Sequence, residues 1–64
     1  MSANESRYLG MTVNERLFEA GLLEEFDATV LARNRSRLIE LLMQVDVTAP
    51  QAIATADTLL SNPA

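Results

Sequence analysis

The segment from Arg37 to Val45 reads RLIELLMQV and is the most apolar stretch of the chain. Its apolar residues recur at i, i+3, i+4 and i+7, the spacing that places side chains on one face of an α-helix. This stripe consists of Leu38, Leu41, Leu42 and Val45. Ile39 and Met43 form a second stripe beside it, so the predicted helix is apolar over more than half of its circumference. A helix of this kind lies at the centre of a bundle or meets a partner on one side.

Two helices are predicted on the N-terminal side of this segment. Thr12 and Glu15 have the spacing of a capping box, so a helix is expected over residues 13–20. Gly21 then supplies a break, and residues 22–33 are predicted to form the second helix. On one continuous helical wheel the apolar stripes of these two segments would point about 135° apart, so a straight helix would expose one of them. A change of direction at Gly21 lets both stripes face one core.

Polar residues also mark the later helix boundaries. Asn34 is expected to close the second helix in the left-handed conformation, and Ser36 is expected to start the third. Thr48 and Pro50 predict the start of a last helix over residues 49–61, because proline is tolerated in a first turn. The predicted buried face of this helix consists of Ala49, Ala52, Ile53, Ala56, Leu59 and Leu60.

These patterns together predict an all-α fold, a small bundle of three to four short helices. The sequence has no strict alternation of apolar and polar residues and no Asn-Gly or Asp-Gly hairpin signal. The helical domain is expected to span residues 12–62. Residues 1–11 are expected to form a polar, disordered tail.

The residue types missing from the sequence exclude most catalytic chemistry. The 64 residues include no Cys, no His and no Lys, which removes thiolate nucleophiles, the usual zinc ligands, histidine triads and the phosphate-loop lysine. No run reaches the roughly 18 apolar residues of a membrane-spanning helix. The sequence therefore predicts a cytoplasmic protein that is not an enzyme and that binds neither a cofactor nor a metal.

Association with another chain is expected from the size of the core. A core this small seldom supplies more than about 3–5 kcal/mol of stability, and no disulfide is available to add to it. One helix of so small a bundle cannot be covered on every side, so an exposed apolar patch is predicted to bind a partner. The predicted patch consists of Phe18, Leu31, Ile39 and Met43. The expected partner is a second copy, giving a homodimer, or else another protein, and the expected function is that of a self-associating regulator or accessory subunit.

Three arginines, Arg33, Arg35 and Arg37, surround the predicted turn between the second and third helices. They indicate either an anion or nucleic-acid contact in a turn like that of a helix-turn-helix, or simple helix-end electrostatics. The alternative function is therefore that of a nucleic-acid-associated regulator. However, the aliphatic helix beyond the turn offers few donors for base edges, and the chain has a formal net charge of −4. Nucleic acid is for these reasons not the expected partner.

The acidic residues concentrate in the first half of the chain. Residues 1–32 hold six carboxylates against two arginines, whereas residues 33–64 hold three of each. Such an excess is typical of a solvated helical surface rich in glutamate. It also leaves open a further alternative, a phage-type inhibitor that blocks a basic site on a host protein.

Residues 14–27, NERLFEAGLLEEFD, followed by residues 37–42, RLIELL, resemble a group of short uncharacterised bacterial proteins. The resemblance covers most of the chain from Met11 onward. It implies a compact domain that begins near Met11, and it implies no activity and no ligand.

Overall fold

The computed structural model describes residues 8–61, and over this range the chain forms four α-helices and no strand. They are α1 (Val13–Glu19), α2 (Leu23–Leu31), α3 (Arg35–Gln44) and α4 (Ala49–Ser61). The predicted all-α bundle of short helices is confirmed. The predicted helix ends differ from the observed ones by two residues at most.

Helix α3 supplies most of the large side chains that are fully buried in the core. The fully buried large side chains are Leu17, Leu38, Leu41, Leu42 and Val45. Helix α3 packs most extensively against α4 and next against α2, while α1 packs mainly against α2. The buried residues of α4 are Ala52 and Ala56, whose small side chains let the backbones of two helices approach closely. The apolar stripe recognised in the sequence is thus the centre of the bundle.

The turn between α1 and α2 changes the direction of the chain at Gly21, as the sequence predicts. Gly21 has φ +74°, and its N–H donates to the Phe18 carbonyl at 3.0 Å. The next N–H, that of Leu22, donates to the Leu17 carbonyl at 2.8 Å. This pair of bonds is a Schellman motif, which needs a left-handed residue at the position that Gly21 occupies. Because the chain turns here, both apolar stripes reach the same core.

The turn between α2 and α3 uses the same motif with a different residue from the one predicted. Arg33 has φ +55° and takes the left-handed position, so the assignment of Asn34 to it is wrong. Asn34 is instead the N-cap of α3, where its side-chain oxygen accepts the Arg37 N–H at 3.2 Å. Ser36 therefore lies inside α3, which begins at Arg35, two residues before the predicted start at Arg37.

Arg16 joins the start of α1 to the turn between α3 and α4. Its Nε donates to the Met11 carbonyl at 3.1 Å, and its Nη1 donates to the carbonyls of Val45 at 3.2 Å and Asp46 at 3.4 Å. Asp46 has φ +66° and occupies the left-handed position after α3. One guanidinium on α1 thus connects the segment before this helix with the turn between α3 and α4.

The N-terminal end of the described range packs against the bundle from residue 8. Tyr8 is only 7% exposed and belongs to the core, and its carbonyl accepts the Met11 N–H at 3.0 Å. The predicted capping box follows: the Thr12 N–H donates to Glu15 Oε1 at 2.9 Å, and the Glu15 N–H donates to Thr12 Oγ1 at 3.2 Å. Tyr8, within the segment predicted to form the tail, is therefore already part of the packed core. The rest of the predicted tail, residues 1–7, and the predicted domain end at residue 62 lie outside the described residues.

Candidate interaction surface

Two of the four residues predicted to bind a partner lie on α3, beside α4. Met43 is 47% exposed, whereas Ile39 is half-buried and packs against the core. The Arg35–Asp57 ion pair, 2.7 Å between Nε and Oδ1, joins the start of α3 to the second half of α4. For antiparallel helices, four residues further along α3 and four residues back along α4 bring Ile39 and Ile53 to about the same level. We name the three residues Ile39, Met43 and Ile53 the α3–α4 strip.

The other two predicted residues, Phe18 and Leu31, are the most exposed of the four, at 73% and 85%. They line a groove along α1, α2 and α4. The groove consists of three adjoining depressions of about 430, 440 and 510 Å³, and Asn14 lines all three. Its large apolar lining residues are Met11, Val13, Phe18, Leu23, Phe26, Val30, Leu31 and Leu59. We name this feature the Asn14 groove.

Carboxylates border the Asn14 groove. Glu15 and Glu19 line its α1 end, and Asp27 lines its α2 side. Glu24 lines a fourth depression of about 210 Å³ that shares Phe18 with the groove. No arginine lines any of these four depressions. The groove therefore combines an apolar floor with an acidic border.

The four residues predicted as one patch thus fall on two surfaces. Phe18 and Leu31 belong to the Asn14 groove, and Ile39 and Met43 belong to the α3–α4 strip. Leu59 of the groove and Ile53 of the strip are about 120° apart around the axis of α4, which separates the two surfaces.

The sequence did not identify Ile53 as a surface residue. Its spacing from Ala52, Ala56 and Leu60 placed it on the predicted buried face of α4, yet it is 41% exposed. The reason is that Ala52 and Ala56 form the deepest part of that face, so the neighbouring isoleucine is left at its edge. The small side chains of Ala52 and Ala56, at i and i+4, were the sequence signal that the buried face of α4 would be narrow.

The three arginines of the turn extend to three different places. Arg33 donates from Nη2 to the Leu60 carbonyl near the end of α4. Arg35 pairs with Asp57 on α4. Arg37 pairs with Glu25 on α2, at 2.9 Å from Nε to Oε2, and with Glu40 one turn along α3, at 3.0 Å. All three guanidinium groups are therefore engaged by the chain itself and hold neighbouring helices to the start of α3.

The ion pairs shift the pKa values of Arg35, Arg37 and Asp57. The hydrogen bond from Arg35 is the largest cause that lowers the pKa of Asp57 below its ordinary value, and its charge adds to the effect. The carboxylates of Glu25 and Glu40 raise the pKa of Arg37 through hydrogen bonds. The Arg35 guanidinium is charged at every pH at which the protein is folded, so Asp57 is the member of the Arg35–Asp57 pair that titrates.

We expect the Arg35–Asp57 pair to make stability depend on pH in the acid range. Because the pKa of Asp57 is lower in the folded than in the unfolded chain, its contribution is fully present above its ordinary pKa of 3.8. It is lost as the pH falls through the folded value. The measurement is the melting temperature of the wild-type chain and of Asp57→Asn between about pH 6 and pH 2. On acidification the melting temperature of Asp57→Asn should fall less than that of the wild-type chain. Equal falls for the two proteins would show that the Arg35–Asp57 pair does not contribute to the pH dependence.

Clustered metal ligands, unpartnered buried polar side-chain atoms and membrane-spanning helices are all absent from residues 8–61. Within residues 8–61 no group of three His, Cys, Asp or Glu side chains is placed to hold a metal ion. Over the same range, every buried side-chain nitrogen or oxygen has a hydrogen-bond partner. None of the helices between Tyr8 and Ser61 has the length and apolar character needed to cross a membrane.

Comparison with known proteins assigns no relative to the chain. No protein-family model matches it, and neither a curated protein nor a solved structure matches it. The function must therefore be argued from the surfaces themselves.

Proposed function

We propose that the chain is a small non-enzymatic protein–protein interaction module, a self-associating cytoplasmic regulator or accessory subunit. One observation carries this proposal: large apolar side chains remain outside a core that is already closed. Phe18 and Leu31 of the Asn14 groove and Met43 of the strip are 73%, 85% and 47% exposed, while several large core side chains, Leu41 and Leu42 among them, are fully buried. Single exposed leucines are common on protein surfaces, but exposed apolar residues gathered into a groove or strip are typical of a binding surface.

The α3–α4 strip is the surface that suits a second copy of the chain. It lies on the half of the sequence in which carboxylates and arginines balance, and Arg35 and Asp57 beside it already neutralise each other. Two such strips can approach without repulsion between like charges. The strip is small, however, compared with the roughly 800 Å² that each partner buries in a standard interface. The proposed homodimer is therefore weak and dissociates on dilution.

The intramolecular contacts of the three arginines support an interaction module over the nucleic-acid-associated alternative. A phosphate contact would have to replace the carboxylates of Asp57 and Glu25 as partners of Arg35 and Arg37. The chain as a whole is acidic and would repel the nucleic-acid backbone. The arginine turn is accordingly assigned a structural role in this proposal.

Self-association is tested by measuring the molar mass by light scattering across a dilution series. The wild-type chain should shift from dimer to monomer as it is diluted, and the double variant Met43→Glu/Ile53→Glu should be monomeric throughout. Both replaced side chains are well exposed, so the subunit should stay folded, as circular dichroism would show. Ile39 is left unchanged because it is half-buried and its replacement would also weaken the core.

Phe18→Ser is the matched control, because it removes an exposed apolar side chain outside the strip. It should leave the mass at each concentration unchanged. A wild-type chain that is monomeric at its highest soluble concentration would overturn self-association. A dimer that survives the double variant but dissociates in Phe18→Ser would assign the contact to the Asn14 groove instead.

A further inference from the structure

We infer that the Asn14 groove binds a basic amphipathic helix contributed by another protein. This inference rests on the proposed interaction role and assigns it a second surface with a different kind of partner. It does not depend on the α3–α4 strip, so a wild-type chain that proves monomeric would overturn self-association and leave this inference intact.

The length of the groove fits a short helix. Along α2 the groove runs from Leu23 to Leu31, a distance of about 12 Å at the rise of an α-helix. Helices that lie in apolar grooves use side chains at i, i+3, i+4 and i+7, and the first and last of these are about 10 Å apart. The depressions of about 430 and 510 Å³ at the two ends each have room for a large apolar side chain. Phe18 borders one end and Leu31 the other, so both would be covered by the same helix.

The charge around the groove selects the partner. Glu15, Glu19, Glu24 and Asp27 border the apolar floor, and no arginine lies among its lining residues. Glu15 already accepts a hydrogen bond from the Thr12 N–H, yet its charge still contributes to the field at the groove. A partner with Lys or Arg flanking an apolar stripe complements this arrangement.

The same charges argue against a second copy as the occupant. Two Asn14 grooves placed face to face would bring Glu15, Glu24 and Asp27 of both chains together, and no arginine of residues 8–61 lines either groove. Like charges across an interface oppose association. Arg35 and Arg37 of a second copy are also engaged by their own chain, at Asp57 and at Glu25. A basic segment from another protein is therefore the occupant that the surface favours.

The test uses three fluorescein-labelled helical peptides of about 16 residues, a length at which an isolated helix begins to form. The basic peptide has leucine at i, i+3, i+4 and i+7 and lysine at the flanking positions. The acidic peptide replaces each lysine by glutamate, and the scrambled peptide has the basic composition without the apolar stripe. Fluorescence anisotropy should show micromolar binding of the basic peptide, and binding at least about tenfold weaker for the other two. Affinity for the basic peptide should fall as salt is added.

Variants of the protein assign the binding to the groove. Phe18→Ser/Leu31→Ser and, separately, Glu24→Gln/Asp27→Asn should each weaken binding of the basic peptide by about tenfold or more. All four side chains are exposed, so both double variants should melt near the wild-type temperature. Met43→Ser, in the α3–α4 strip, is the matched control and should leave the affinity unchanged.

Each remaining outcome contradicts the inference. Equal binding of the basic and acidic peptides would show that the groove does not select charge. Absence of binding, or binding that survives both double variants, would show that the groove is not the site. Tighter binding after removal of residues 1–7 would identify the chain's own N-terminal segment as the occupant, and a change of dimer mass in Phe18→Ser/Leu31→Ser would identify a second copy.

Discussion

Replacing Leu41 by alanine is expected to leave a large share of the chains unfolded at room temperature. Leu41 is fully buried at the middle of α3, the helix that packs against both α2 and α4. Removing a buried leucine side chain costs about 2–5 kcal/mol, because apolar contacts are lost and a cavity remains. The free energy of unfolding of the whole fold is expected to be only about 3–5 kcal/mol, because a core of this size seldom provides more. The measurement is helical circular dichroism during urea and thermal denaturation.

Leu31→Ala is the matched control for this experiment. It makes the same chemical change within a helix, but Leu31 is 85% exposed, so the free energy of unfolding should change by no more than about 0.5 kcal/mol. If Leu41→Ala unfolds at the same denaturant concentration as Leu31→Ala, α3 is not the centre of the core. A dimer that forms through another surface would raise the stability of both variants equally and leave their difference unchanged.

Replacing Arg16 by alanine is expected to produce the second largest loss of stability. Its guanidinium donates to the carbonyls of Met11, Val45 and Asp46, and the first two of these bonds are partly buried. A hydrogen bond that involves a charged group contributes about 1.5–3 kcal/mol when it is protected from water. The loss should therefore approach half of the stability of the fold, measured by urea denaturation. Arg16→Lys keeps the charge but lacks the planar fork that reaches several carbonyls, so it should recover little of the loss.

Arg35→Ala is the control for Arg16→Ala. It also removes one arginine, but its ion pair with Asp57 is exposed on both sides, and exposed ion pairs contribute little. The loss for Arg35→Ala should be the smaller of the two and should diminish as salt is added. Equal losses in the free energy of unfolding would show that the hydrogen bonds of Arg16 contribute no more to stability than an exposed ion pair.

Local sequence signals predicted the helices well because each signal acts within a few residues. The capping box at Thr12 and Glu15 formed as expected, and so did the turn at Gly21. The turn at Arg33 was misassigned for a physical reason. Asparagine is suited both to the left-handed position and to the N-cap, and the hydrogen bond to the Arg37 N–H selects the N-cap. Arg33 then takes the left-handed backbone conformation, which is less favourable for arginine than for asparagine or glycine.

The candidate surfaces were harder to predict, because they depend on how the helices are placed relative to one another. The sequence selected Phe18, Leu31 and Met43, which are all exposed, but it joined them into one patch. The Asn14 groove is formed by residues from three helices, and no spacing along the chain indicates that Val13, Phe26 and Leu59 line the same depression. The ion pairs of Arg35 and Arg37 likewise depend on the register between α3 and its neighbours, which the sequence pattern leaves undetermined.

The order in which the helices pack has a consequence for the rate of folding. Each helix makes its main contacts with the helix next to it in the chain: α1 with α2, α2 with α3, and α3 with α4. Only short loops must close before these contacts form, and chains with such low contact order fold within microseconds to milliseconds. When an unfolded chain refolds, its apolar segments are therefore exposed for only a short time before they are buried, which leaves little opportunity for aggregation.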